Sequence, residues 1–85
     1  MPAKNQVRPL YEIAKEIRKD WGAKTSVHAK PYISEMAQFD KITDKGFSGD
    51  SADNADGIVK YFLNNASTWR GDVAKRVKAE LKAML

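Results

Sequence analysis

Apolar residues recur every three or four positions along most of this chain, and no stretch alternates with period two for long enough to claim a strand. That recurrence is the stripe of an amphipathic α-helix. The clearest case is Leu10, Ile13, Ala14, Ile17 and Trp21. Pro9 suits the first helical position, where its missing N–H is no loss. Gly22 suits the left-handed position just past a helix end. The spacing predicts a helix over 9–21. Lys15, Arg18 and Lys19 fall mostly off its apolar stripe, and Glu12 with Lys15 and Glu16 with Lys19 are spaced to pair at i,i+3.

Three more blocks read the same way. Pro31 opens a stripe of Tyr32, Ile33, Met36, Ala37 and Phe39, predicting a helix over 31–40. Ala55, Ile58, Val59, Phe62, Leu63 and Ala66 predict one over 54–66, with Ser51, Asp53 and Asn54 as candidate N-caps and Asp56 in the first turn. Gly57 weakens that helix by about 1 kcal/mol relative to Ala. Trp69, Val73, Val77, Leu81 and Met84 or Leu85 predict a helix over 69–84. Thr68 is its candidate cap, and Asp72 is spaced to pair with Arg76. The expected core is Leu10, Ile13, Ile17, Met36, Phe39, Ile58, Phe62, Leu63, Val73, Val77 and Leu81, with Trp21 and Trp69.

The expected fold class is therefore all-α, a small single-domain bundle of about four helices. It spans 8–85, after a disordered tail at 1–7. The short link between the last two helices makes them antiparallel or steeply crossed neighbours. Residues 22–30 read as a connection. Residues 41–53, KITDKGFSGDSAD, form a long polar loop that Ile42 and Phe47 can pin to the core. VHA at 27–29 and KITD at 41–44 are the only segments suited to a short ribbon.

With 85 residues the chain fits one domain, and such a domain buries only roughly 60–65% of its extended-chain surface. Cysteine is absent, which excludes disulfides, Cys-ligated zinc or iron–sulfur clusters and a thiol nucleophile. No apolar run nears the ~18 residues of a membrane span, and MPAKNQVRP lacks the apolar stretch of a signal peptide. A soluble cytoplasmic protein is expected. The net charge of +4 is uneven: residues 1–30 carry +4, residues 40–57 carry −3, and residues 69–85 carry +3.

Catalysis finds little support. His28 is the single imidazole and sits in a polar connection. No serine or carboxylate is spaced to complete a triad with it. Asp44, Asp50, Asp53 and Asp56 lie in the polar loop or at a helix start, where capping and solvation account for them. DSADNADG steps its aspartates by three and lacks the distal Glu of a calcium loop. KGFSGD lacks the GK[ST] of a P-loop, and its GFSG match to a KH loop comes without that domain's strands. No enzyme activity, metal or cofactor is expected.

Binding is the remaining class, and two surfaces compete. Trp69 and Arg70 at a helix start make a candidate protein-binding corner, because Trp and Arg dominate interface hot spots. The alternative is weak nucleic-acid binding by the basic last helix, in a helix-turn-helix arrangement with the one before it. Lys75, Lys78 and Lys82 would then meet phosphates, and Arg70 a phosphate or a base edge, with Lys15, Arg18 and Lys19 as further contributors. The helix offers mainly Lys and Ala, which favours phosphate contact over base reading. Tyr11, Tyr32 and Tyr61 read as half-buried.

The blocks PLYEIAKEIRKDW, PYISEMAQF and IVKYFLNNASTWRGDVAKRVKAELKAML resemble a family of small uncharacterised proteins of Gram-positive phages, prophages and mobile elements. The resemblance spans most of 9–85, and YFLNNASTWRGDVAKRVKAEL at 61–81 is its most specific part. It implies a cytoplasmic protein made in an infected or lysogenic host, with an accessory role such as binding a host or phage protein or nucleic acid. It carries no functional residue onto this chain. The leading expectation is a non-catalytic accessory protein acting by protein–protein binding.

Overall fold

Pro9 stands just outside the first helix, in extended conformation (φ −61°, ψ 146°), and offers no side-chain cap. Backbone from a distant segment caps the helix instead. The N–H groups of Leu10 and Tyr11 donate to the carbonyls of Asp40 (2.8 Å) and Phe39 (2.9 Å). Two of the donors that every helix start leaves unpaired are satisfied this way.

The computed structural model describes residues 8–46 and 54–85. Among these residues four α-helices run in chain order: α1 at Leu10–Trp21, α2 at Lys30–Met36, α3 at Ala55–Asn64 and α4 at Asp72–Met84. No strand occurs among the described residues, and the segments 27–29 and 41–44 are turns rather than a ribbon. The protein is a small all-α bundle. Its α1 packs against α2 and α4, and α2 packs against α3. Helices α3 and α4 do not pack side by side, so of the antiparallel or steeply crossed arrangements expected of them the antiparallel hairpin is not formed.

Helices α2, α3 and α4 are shorter than their apolar stripes, and the local backbone shows why. The predicted 31–40 helix ends at Met36, because Gln38 and Phe39 donate three residues back to Glu35 and Met36. This tighter turn swings the carbonyls of Phe39 and Asp40 toward α1. The predicted 54–66 helix ends at Asn64, where the Asn65 side chain donates to the carbonyl of Tyr61 at 2.8 Å. At its start, the Asn54 side chain accepts from the Gly46 N–H rather than capping its own helix. Ser51, Asp53 and Phe47 lie outside the described residues.

The predicted 69–84 helix begins only at Asp72, and Thr68 does not cap it. Its N-cap is Gly71, with φ 113° and ψ −179°. That region is essentially closed to residues with a Cβ, at a strain of about 1–3 kcal/mol. A Cβ built at Gly71 meets nothing within 4 Å, so the penalty is purely conformational. Gly71→Ala and Gly71→Asn are therefore expected to destabilise the fold equally, by about 1–3 kcal/mol each. Asn relieves αL strain, and this is not the αL region. Chemical denaturation of the two variants checks this, and a near-native Asn variant would contradict it.

The core holds every expected residue except Leu63 and Val73, which lie half-buried at its edge. It also holds Ala29, Ala55, Ala66 and Ala74, whose side chain is a single methyl group. Three aromatics meet at its centre. Trp21 and Trp69 stack with ring centroids 5.7 Å apart and planes 13° apart. Phe62 meets both edge-on, at 6.4 and 6.2 Å. Ile42 packs against the core as expected. The Asp44 carboxylate takes the N–H groups of Asp40 and Lys41, and the Asp44 carbonyl takes that of Ala55. These bonds tie the start of the polar loop to the start of α3.

Candidate functional site

The predicted protein-binding corner divides. Trp69 is 2% exposed and belongs to the aromatic core. Its indole Nε1–H donates to Asp20 Oδ2 at 2.8 Å, and its carbonyl accepts from Lys78 Nζ at 2.7 Å. A side chain enclosed in this way cannot anchor a partner, and the expectation for Trp69 is corrected accordingly. Arg70, the next residue, is exposed.

The predicted nucleic-acid face is partly assembled. Lys75, Lys78 and Lys82 follow at steps of three and four and so share one side of α4. Lys78 sits 6.0 Å over the Trp69 ring, close enough to add a cation–π attraction. Burial holds its ammonium below the ordinary lysine range, with further lowering from Lys82 and Arg70. The structure thus brings Arg70, Lys78 and Lys82 within electrostatic reach of one another. No described carboxylate forms an ion pair with these three or with Lys75.

Arg76 behaves differently. Its expected partner Asp72 is not the residue it finds; it reaches across to Glu16 on α1. Glu16 also lies 2.8 Å from the Arg8 guanidinium, and so pairs with neither Lys19 nor any other lysine. Its Oε1 is buried and receives no properly directed hydrogen bond, so the Arg8 contact is Coulombic. Arg8 in turn grips Glu80 with two hydrogen bonds, Nε to Oε2 at 2.9 Å and Nη2 to Oε1 at 2.6 Å. This bidentate geometry is the strong form of a charge pair. The network joins the residue before Pro9 to α1 and α4. Nothing in local spacing announces it, because Arg8 and Glu80 are 72 positions apart.

Burial raises the Glu16 pKa, but the hydrogen bond from Arg76 and the nearby Arg8 and Arg76 charges outweigh it, and the net shift is downward. A carboxyl whose folded pKa is depressed adds stability above its unfolded pKa and loses it as pH falls through the folded value. Stability should therefore drop on acidification below about pH 4.3, the ordinary Glu value. Glu16→Gln should cost about 1–2 kcal/mol at neutral pH and flatten that drop. Melting temperatures measured across the acid range check both, and an equally steep fall in the variant would contradict them.

His28 is exposed, and its backbone N–H donates to Ser26 Oγ. Among the described residues no three His, Asp or Glu side chains gather as a metal site, and no helix is long and apolar enough to cross a membrane. Asp50 and Asp53 of the acidic run, and GFSG at 46–49 beyond Gly46, lie outside the described residues. Arg18 lies away from the α4 face; its Nη2 donates to Ser34 Oγ at 3.0 Å, linking α1 to α2. No family model, curated protein or solved structure matches the chain.

Proposed function

We propose that the protein works by binding rather than catalysis, as a cytoplasmic accessory protein of a phage or mobile element. Its ligand on this reading is nucleic acid, held weakly through Arg70, Lys75, Lys78 and Lys82. One observation carries the preference over a protein partner. These four cations sit at one end and along one side of α4 with no described carboxylate paired to them, whereas Arg8 and Arg76 are neutralised by Glu16 and Glu80. An unneutralised row of cations is what a phosphate backbone selects. The row offers no Asn or Gln for base edges, so binding is sequence-independent.

A protein partner is the second reading. With Trp69 buried, the surface aromatics that favour it are Tyr11 and Tyr61, the latter 44% exposed and stacked on Tyr32 at 5.6 Å. Salt separates the two readings. Fluorescence anisotropy of a labelled duplex of random sequence should give micromolar or weaker binding. Its log–log salt slope should be about −3 to −4, a loss of roughly a hundredfold between 50 and 200 mM salt. Absence of binding at low salt would sink the nucleic-acid reading.

A further inference from the structure

Three surface depressions of similar size, about 350–370 Å³, differ sharply in charge. The one between the 42–45 turn and the end of α4 carries both Asp44 and Asp56 and both Lys45 and Lys60. The one beside Arg8 mixes Glu12 and Glu16 with Lys15 and Lys19. The third, between α1 and α2, is lined by Arg18, Gly22, Thr25, Lys30, Ile33 and Ser34. It has two cations and no carboxylate.

The hydrogen bonds of that third site fix its donors. Arg18 is held by a neutral hydroxyl, Ser34 Oγ at 3.0 Å, and by no described carboxylate. The guanidinium is oriented without its charge being quenched. Ser34 accepts that bond, so its own O–H stays available to donate. Lys30 and Ser34 are four residues apart on α2 and share a face. The Thr25 hydroxyl is committed to the Gly22 carbonyl at 2.6 Å and adds no donor. Ile33, buried, forms an apolar floor.

We propose that this depression binds a phosphate monoester dianion, with Arg18 and Lys30 supplying charge and the Ser34 hydroxyl a third donor. Its volume falls at the lower end of the ~300–1,000 Å³ typical of small-ligand sites. A depression lined by three donors, two of them cationic, suits a terminal phosphate, whereas a diester strand needs a row of cations such as α4 offers. The site is separate from the α4 face and does not depend on the nucleic-acid reading.

The test is an amide NMR titration of the full chain with phenyl phosphate and with inorganic phosphate. Ionic strength is held constant with chloride, and the pH stays well above the second phosphate pKa of about 6. Saturable shifts are expected at Gly22, Lys30, Ile33 and Ser34. Arg18→Gln should weaken binding by about tenfold or more, as loss of a charge-assisted bond implies. Ser34→Ala, a second variant that leaves both charges in place, should weaken it by a few-fold. Lys75→Gln with Lys82→Gln should change nothing here. Non-saturating shifts, shifts confined to α4, or affinity indifferent to both Arg18→Gln and Ser34→Ala would overturn the proposal. So would an oligonucleotide without terminal phosphates that moves these amides when phenyl phosphate does not.

Discussion

Trp69→Ala is expected to lower the melting temperature by tens of degrees and to leave the chain largely unfolded at physiological temperature. Removing a fully enclosed aromatic costs about 3–5 kcal/mol. A chain of this length has roughly 4–13 kcal/mol in total, and small domains sit toward the low end. Each kcal/mol is worth about 4–8 °C in a domain of this size. The loss has three parts here. The stack on Trp21 goes, the edge contact with Phe62 goes, and Lys78 loses the ring that its stem and charge cover. Trp69→Phe separates them, because it keeps a ring in the stack but gives up the hydrogen bond to Asp20 Oδ2. That bond is near the surface, and the freed Asp20 carboxylate is hydrated, so its loss costs about 1 kcal/mol. Far-UV circular dichroism melts of the two variants provide the measurement. A Trp69→Ala protein melting within a few degrees of the unaltered chain would contradict the placement of this side chain at the centre of the core.

The burial of Trp69 also shows what the sequence could and could not reveal. Its spacing with Val73 and Val77 marked it as a core residue, although Trp69 itself stands outside α4, and the same periodicity located α1 from Leu10 to Trp21 almost to the residue. Periodicity reports which face is apolar, and burial follows from that. It does not report where a helix stops, because the stops are tertiary or conformational. The start of α1 is set by carbonyls from residues 39 and 40, and the start of α4 by the positive φ of Gly71. Nor does it register Ala29, whose small side chain lies in a connecting segment outside every stripe yet is fully buried. Charge pairing was least legible. Glu16 and Arg76 had acceptable partners on their own helices, but those i,i+3 and i,i+4 pairs are worth only a few tenths of a kcal/mol, and Glu16 instead gathers two guanidinium groups from across the fold. The unpaired cations on α4 are legible only by difference, once the paired ones are known.

That difference makes the choice of residues decisive in testing the α4 face. Reversing every lysine on it would confound binding with stability. Lys78 donates to the Trp69 carbonyl and lies over its ring, so Lys78→Glu would leave that carbonyl without its donor. Arg70, Lys75 and Lys82 are exposed and support no described contact through their charges. Their combined change to Gln should leave the melt nearly unaltered while reducing the salt slope by about 0.9 for each residue, to a value near −1. Combined reversal to Glu should abolish duplex binding, because the remaining Lys78 is then surrounded by opposite charge and exerts no net attraction on phosphate. Lys15 and Lys19 provide the contrast. They line a depression that also holds Glu12 and Glu16, so their field is already offset, and changing both to Gln should shift the slope by less than one α4 residue does. Equal slope losses from the two sets would mean that the whole basic surface binds diffusely, and the α4 face would lose its claim. An unchanged slope after the triple Gln substitution would remove these residues from the interface altogether.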